Sequence, residues 1–176
     1  MGLIADGAIH STMLQVPYLN LMANIRERAG GVNIRVGGNT QEKATLVPSL
    51  ANGSIIAKDY SAVSGTTNTP PLEYTPDLLY MMANISSLTN VHWFVGLPFL
   101  NTTPFNLDIL HYGEAILGDY LVAVQAGNEP DLYVLHGHRP DVSLVYCHCS
   151  FRFHFVFCSH TRQTTTLVKS ATSLTR

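Results

Sequence analysis

Two polar stretches of the sequence carry side chains that could act on a bound substrate, and each follows an apolar run. In LVAVQAGNEPDLY, at residues 121–133, the apolar run stops at Asn128 and Glu129, with a proline directly after them. In VNIRVGGNT the run stops at Gly38 and Asn39. A carboxyl group beside an amide could transfer a proton while the amide holds a hydroxyl group. Gly, Asn, Pro and Asp also form ordinary turns, so a solvated turn is the alternative interpretation.

The elements around these stretches alternate between strand and helix. Short apolar runs predict strands at about 32–36, 91–97 and 120–127. Apolar residues at three- and four-residue spacing predict helices in VPYLNLMANIRERAGG, TPDLLYMMANISSLT and FNLDILHYGEAILG. Because each strand is apolar almost throughout, the pattern indicates parallel strands covered on both faces, and therefore an α/β fold.

Both polar stretches are expected at the same edge of the predicted sheet. Each follows the C-terminal end of a parallel strand, where the loops of α/β folds converge and catalytic groups collect. The segment 39–74 is rich in Asn, Thr, Gly and Pro and is too long for a plain connection. We therefore expect it to form an excursion between a strand and a helix at this edge.

For several single residues near these stretches, a purely structural interpretation stands beside a functional one. Arg35 lies inside a predicted strand and is interpreted as a hydrogen-bonded charge of the core or rim, with direct contact to a substrate as the alternative. Trp93 is predicted to belong to the core. His136 and His138 could line the cleft, although histidines in loops are commonly only solvated.

Composition excludes several partners. The 176 residues have a formal charge of -2, which gives no electrostatic reason for binding nucleic acid or an anionic membrane surface. No apolar run approaches the roughly 18 residues that a membrane helix needs. The first residues, MGLIADGAIHST, make a poor secretory signal. Sequons at Asn52, Asn84 and Asn101 nevertheless favour a secreted, extracellular parent protein.

The likeness to a known family lies in several strings that occur in the same order. IRVGGNTQE at 34–42 and QAGNEPDLYVLHGHRP at 125–140 resemble the fungal members of glycoside hydrolase family 79, the β-glucuronidase and heparanase-like enzymes. LNLMANIRERAG, YTPDLLYMMANISSL and VHWFVGLPF are similar too. The likeness covers residues 16–140, within a unit that we place at 1–141.

The resemblance implies a retaining glycosidase built on a (β/α)8 TIM barrel, with the Asn-Glu pair at the end of the fourth strand. Glu129 matches the acid/base, and Asn128 matches the neighbour that binds the sugar 2-hydroxyl group. Gly38 would let the backbone approach the sugar, and Asn39 would face it. The substrate implied is a glucuronic-acid-containing glycan, cleaved at β-glucuronosyl linkages without a cofactor or metal ion.

The resemblance is incomplete, because a barrel takes about 250 residues and the matching part spans about three of eight strands. The nucleophile of such enzymes is a glutamate at the end of the seventh strand, and no glutamate follows Glu129. None of the earlier ones lies where the nucleophile belongs; they are Glu27, Glu42, Glu73 and Glu114. The chain as written is therefore expected to be inactive. A non-catalytic carbohydrate-binding remnant and a gene-model artefact are the alternatives.

Residues 142–176 differ in composition from the rest and are predicted to form an irregular tail. They hold all three cysteines, four basic residues and no acidic ones, whereas residues 1–141 hold all 12 acidic residues. The Cys-x-Cys spacing at Cys147 and Cys149 is a poor match to zinc sites. A translated intron is the favoured interpretation of the tail.

We expect the transcript to reveal the origin of this tail. Val142-Ser143 can be encoded by GTGAGT, a typical intron start, and Leu174-Thr175 by CTGACT, which resembles a branch site. Sequencing the message should show splicing, with family-like sequence resuming after Asp141. If the only message is unspliced, the intron hypothesis is wrong.

Overall fold

The structure is a computed structural model that describes residues 5–8, 11–63, 69–133 and 166–168. The helices are α1 Val16–Ala29, α2 Pro76–Thr89 and α3 Asp108–Leu117. The strands are β1 Ala5–Ala8, β2 Ser11–Leu14, β3 Val32–Val36, β4 Ala44–Leu46, β5 Ile56–Lys58, β6 Leu72–Tyr74, β7 Val91–Leu97, β8 Leu121–Ala126 and β9 Thr166–Val168. The histidines at 136 and 138 and the cysteines of the tail lie outside the described residues.

The central sheet has the order β3-β7-β8-β9, and β3, β7 and β8 run parallel. The register places Ile34 opposite Trp93 and Val95 opposite Val124. Helices connect the parallel strands, because a parallel pair needs a crossover that returns the chain to the starting edge. The structure confirms the predicted α/β fold, with three parallel strands and flanking helices.

The tail departs from its predicted irregularity at one place. Thr166–Val168 form β9, which pairs antiparallel with β8 along Ala123–Gln125. An uncovered edge of β8 would expose a row of unpaired N–H and C=O groups, and β9 satisfies part of that row. The expectation of an irregular tail is wrong for these three residues.

The helices begin and end at the residues that the sequence marks for those positions. Helix α1 has a proline in its first turn and ends at Gly30, whose left-handed backbone (φ +79°) lets its N–H donate to the carbonyl of Arg26 at 2.8 Å. Helix α2 follows Thr75 and also starts with proline. The Thr75 hydroxyl donates to the Asp77 carboxylate at 3.1 Å, and its oxygen accepts no hydrogen bond from the backbone of α2.

The core lies between the sheet and the helices. Leu79 and Ile85 of α2 are fully buried against Val91, Trp93 and Val95 of β7. The prediction of Trp93 as core is confirmed, since it is 1% exposed. Burying a side chain of the size of Leu79 or Val91 contributes about 1.5–3 kcal/mol relative to leaving it exposed.

The single polar group of this indole is also satisfied inside the core. Trp93 Nε1 donates to Ser86 Oγ at 2.7 Å, and Ser86 Oγ donates to the carbonyl of Val91 at 2.7 Å. Without these bonds a buried N–H and hydroxyl would each cost free energy. The chain therefore fixes α2 on β7 by polar contacts as well as by apolar packing.

The segment 39–74 contains structure that the sequence pattern did not predict. It leaves the sheet after β3, as expected, and forms a second sheet of order β4-β6-β5 before α2. The antiparallel pairing of β1 with β2 was likewise not predicted. Strands of three or four residues are too short to show a hydrophobic period. No helix within the described ranges is long and apolar enough to cross a membrane.

Tyr74 is expected to make the fold sensitive to alkaline pH. Its side chain is 5% exposed, and burial, followed by the negative charge of Asp108, raises the pKa of its phenol far above the ordinary 10.0. Above the unfolded pKa of 10.0 the unfolded chain releases this proton while the folded chain keeps it. The free energy of unfolding therefore falls as the pH rises, by up to about 1.4 kcal/mol per pH unit for this group.

Replacement of Tyr74 by phenylalanine removes the phenol proton that makes stability depend on alkaline pH. Urea denaturation should show a smaller loss of stability between about pH 10 and about pH 11 for Tyr74→Phe than for the wild type. Tyr60→Phe is the control, because Tyr60 is 73% exposed and should leave the alkaline loss unchanged. An equal alkaline loss in Tyr74→Phe and the wild type would contradict this prediction.

Candidate functional site

The two polar stretches meet at the carboxyl ends of the parallel strands. Asn39 follows β3, and Asn128 and Glu129 follow β8, with β7 between the two strands. The Asn128 Nδ2 atom donates to Asn39 Oδ1 at 2.6 Å and to Glu129 Oε2 at 3.2 Å. Three of the four predicted site residues are therefore in direct hydrogen-bond contact.

Gly38, the fourth predicted site residue, shapes the turn that carries Asn39. Its backbone (φ +98°) lies in a region that side chains rarely adopt, and its N–H donates to Gln41 Oε1 at 3.2 Å. The following residues Asn39–Lys43 form a 3₁₀ turn. The structure thus gives Gly38 a local structural role at the strand end.

Glu129 has an unusual backbone and an exposed side chain. Its φ of 52° and ψ of 53° place it in the left-handed region, which costs a residue other than glycine about 1–3 kcal/mol. Gly127 (φ +71°) lies two residues before it, and Pro130 follows it and starts a 3₁₀ turn. Residues held in such conformations cluster at functional sites. Its carboxyl group is exposed, in contrast to the water-poor setting that suits a general acid.

The amide of Asn128 has a defined orientation. Arg35 Nη2 donates to Asn128 Oδ1 at 3.0 Å. Since a guanidinium only donates, the oxygen of the amide must face Arg35, and its NH₂ group faces Asn39 and Glu129. The interpretation of Arg35 as a hydrogen-bonded rim charge agrees with these contacts, and its side chain is exposed.

Glu42 is the residue of this edge that sequence reasoning missed. Its Oε2 atom accepts from the backbone N–H groups of Phe99 at 2.8 Å and Leu100 at 3.0 Å. Its Oε1 atom accepts from the backbone N–H of Asn128 and from the Tyr133 hydroxyl at 2.7 Å. One carboxylate on the turn after β3 therefore holds the loops after both β7 and β8.

Gln41 ties the same strand ends together from inside the sheet. Its side chain is 4% exposed, and its Nε2 atom donates to the carbonyls of Leu97 at 3.3 Å and Gln125 at 3.4 Å. A Cβ atom at Gly96 would lie 2.1 Å from Gln41 Oε1. The absence of a side chain at Gly96 therefore makes the space that Gln41 fills.

The site geometry has a limited set of chemical uses. It offers an exposed carboxyl group, two amides and a guanidinium at one edge of the sheet. Within the described part of the chain, no group of three His, Cys, Asp or Glu side chains could hold a metal ion. The arrangement suits proton transfer and hydrogen bonding to a polar ligand.

No protein-family model matches the chain, and no curated protein matches it at a significant level.

Loss of the Glu42 carboxylate is expected to destabilise the whole edge. Glu42→Ala removes an acceptor that binds three backbone N–H groups and one hydroxyl, so the free energy of unfolding should fall by about 3 kcal/mol or more. Tyr133→Phe removes one of these four bonds and should cost about 1 kcal/mol. Chemical denaturation measures both values.

The control for this comparison is Glu114→Ala, which removes an exposed carboxylate from α3. It should change stability by no more than about 0.5 kcal/mol. A Glu42→Ala variant as stable as the Glu114→Ala variant would show that the carboxylate does not hold the loops after β7 and β8.

Proposed function

We propose that this chain is part of a retaining glycoside hydrolase that acts on β-glucuronosyl linkages. The observation that carries the proposal is the contact of Asn128 with both Glu129 and Asn39 at the carboxyl ends of parallel strands. The residues that meet there are those implied by the resemblance to glycoside hydrolase family 79. They come from loops that are 89 residues apart in sequence.

The order of the strands supports a (β/α)8 barrel as the parent fold. In the sheet β3, β7 and β8 are neighbours in the same order as in the chain, and α1 contacts α2, which contacts α3. Consecutive βα units of a barrel have this order, and so does each half of a doubly wound sheet; of the two, the barrel is the fold that the resemblance implies. Arg35, Phe94 and Gln125 would then face the interior of the barrel.

In the proposed reaction Glu129 acts twice. It first donates its proton to the glycosidic oxygen as the bond to the anomeric carbon breaks and a second carboxylate bonds to that carbon. It then takes a proton from water, whose oxygen displaces that carboxylate and releases the sugar. The mechanism uses side chains and water without a cofactor or metal ion.

The second carboxylate should lie about 5–5.5 Å from Glu129. Asp131 and Asp141 are the only later carboxylate side chains, and both are too close in sequence to occupy the end of a seventh strand. The nucleophile would come from sequence beyond residues 1–141. For this reason we expect the 176-residue chain alone to show no glycosidase activity.

The remaining residues would bind the sugar. Asn128 would donate to the 2-hydroxyl group, a bond that strengthens as positive charge develops at the anomeric carbon. Gly38 and Asn39 would approach the same sugar from the turn after β3. The exposure of Glu129 leaves room for a glycan, and the remaining strands of the barrel would exclude water around it. The sequons at Asn52, Asn84 and Asn101 support an extracellular parent protein.

The leaving group is the sharpest test of Glu129 in the full-length, spliced parent protein. Glu129→Gln should slow the hydrolysis of natural glycosides by about 10²–10⁴-fold, because their poor leaving groups need the proton. It should spare much of the bond-breaking step on activated aryl glucuronides, which do not need it. Azide should then raise turnover of the variant by attacking the glycosyl-enzyme without a base. Steady-state kinetics with and without azide measures these effects.

Two results separate this proposal from its alternatives. If the wild type and Glu129→Gln hydrolyse both substrate types at equal rates, Asn128-Glu129 is only a solvated turn and Glu129 is not the acid/base. A full-length wild type that binds glucuronic-acid-containing glycans in calorimetry without cleaving them would instead identify a non-catalytic binding remnant. Glu114→Gln is the control variant, since its exposed carboxylate lies on α3, away from the site.

A further inference from the structure

Arg35 lies on β3 and contacts residues of β8, so its side chain crosses the end of β7. Its Nε atom donates to Gln125 Oε1, and its Nη2 atom donates to Asn128 Oδ1 at 3.0 Å and to Gln41 Oε1 at 3.4 Å. We propose that Arg35 is a positioning residue that fixes the amide of Asn128 as a hydrogen-bond donor toward the sugar 2-hydroxyl group. This inference rests on the proposed glycosidase function. It adds to that function a reason why the site would prefer a sugar with a 2-hydroxyl group over its 2-deoxy analogue.

The chemistry of the guanidinium decides the orientation of the amide. Arg35 has donors and no acceptor. An Asn128 amide turned the other way would place its NH₂ group against Arg35 Nη2, where two donors repel each other. Arg35 thus excludes one of the two orientations that an asparagine could otherwise adopt.

Arg35 also fixes the orientation of the Gln125 amide, and this orientation leaves the Gln125 NH₂ group without a partner in the described part of the chain. Its side chain is 3% exposed and its Oε1 atom faces Arg35, which leaves Nε2 buried without a hydrogen-bond partner among the described residues. A reversed amide would place its NH₂ group against the Arg35 Nε–H. An unsatisfied buried donor lowers the stability of the fold. The fold accepts this cost and keeps the guanidinium in place.

The backbone next to Arg35 leaves space for the guanidinium and for Gln41, because residue 37 is a glycine. A Cβ atom at Gly37 would lie 3.3 Å from Arg35 Nη2 and 2.5 Å from Gln41 Oε1. Gln41 is itself held by the carbonyls of Leu97 and Gln125. The guanidinium therefore sits on a buried support, although its own side chain is exposed.

With Oδ1 turned toward Arg35, Asn128 presents its NH₂ group on the side of Asn39 and Glu129, where a ligand would bind. In the unbound arrangement the two hydrogens of this group point to Asn39 at 2.6 Å and to Glu129 at 3.2 Å. A sugar 2-hydroxyl oxygen that accepts from Asn128 replaces one of these acceptors. Without Arg35 the Asn128 amide can rotate. Its oxygen can then lie where its NH₂ group would otherwise donate to the sugar 2-hydroxyl group. Arg35 therefore acts on the substrate through Asn128.

The test compares three aryl substrates on the full-length parent protein: a β-glucuronide, its 2-deoxy analogue and the matching β-glucoside. Arg35→Met and Asn128→Ala should each lower kcat/KM for the glucuronide by about tenfold, the effect of one hydrogen bond. Neither should change kcat/KM for the 2-deoxy analogue by more than about twofold, and the double variant should be no worse than Asn128→Ala. Lys43→Met is the control, since it removes a cation of the turn after β3 that contacts the carbonyl of Thr69 instead.

Three outcomes would overturn the inference. Arg35→Met could slow the 2-deoxy analogue as much as the glucuronide, which indicates a general structural effect. The Arg35 and Asn128 effects could multiply in the double variant, which makes them independent. Arg35→Met could instead abolish the preference for glucuronide over glucoside, which makes Arg35 a direct partner of the substrate carboxylate. If Arg35→Met does not fold, Arg35→Lys replaces it, because a single ammonium lacks the planar fork whose separate nitrogens reach Gln125 and Asn128, and it should lose the same selectivity.

A second measurement keeps this inference separate from the proposed function. If the full-length wild type hydrolyses no glucuronide, the glycosidase proposal fails, and Arg35 is then tested by NMR on the 176-residue chain. The side-chain NH₂ signals of Asn128, identified by their loss in Asn128→Ala, should shift in Arg35→Met toward those of an exposed, unbonded asparagine. They should stay in place in Lys43→Met. Unshifted signals in Arg35→Met would overturn the positioning role.

Discussion

The hydrogen bonds of one carboxylate, Glu42, hold the carboxyl ends of the parallel strands in register with one another. It lies on the turn after β3 and accepts from Phe99 and Leu100 after β7 and from Asn128 and Tyr133 near the end of β8. Bonds to a charged acceptor are about twice as strong as neutral ones. Gly127 makes this arrangement possible, since a Cβ there would lie 2.6 Å from the Tyr133 hydroxyl.

Two opposite charges of this edge act on the same residue. Glu42 binds the backbone N–H of Asn128, and Arg35 binds its side-chain oxygen. The main chain and the amide of Asn128 are therefore both fixed before any ligand arrives. Catalysis and selective binding both gain from such preorganisation, because a group already in place loses little freedom when the substrate binds. The adjacent Glu129 follows in a left-handed conformation that these contacts help to maintain.

The long elements of the fold were predictable, and the short ones were not. β3 and β7 match their predicted bounds, β8 matches to within one residue at each end, and the three helices occur where their apolar spacing placed them. Five to fourteen residues are enough to show a hydrophobic period. The strands β4, β5 and β6 have three residues each and depend on pairing with each other. β9 likewise exists through its pairing with β8.

The sequence by itself determined which polar residues follow the parallel strands, because strand periodicity and turn residues are local properties. It thereby selected Gly38, Asn39, Asn128 and Glu129 as candidates for one edge. Only the tertiary structure decided that Asn128 donates a hydrogen bond to Asn39 and that Glu42 accepts hydrogen bonds from the backbone of other loops. The partners of Glu42 lie 57 to 91 residues away, and most are backbone N–H groups, which every residue except proline carries. A sequence does not mark such partners, so the role of this carboxylate appears only when the strand ends are brought together.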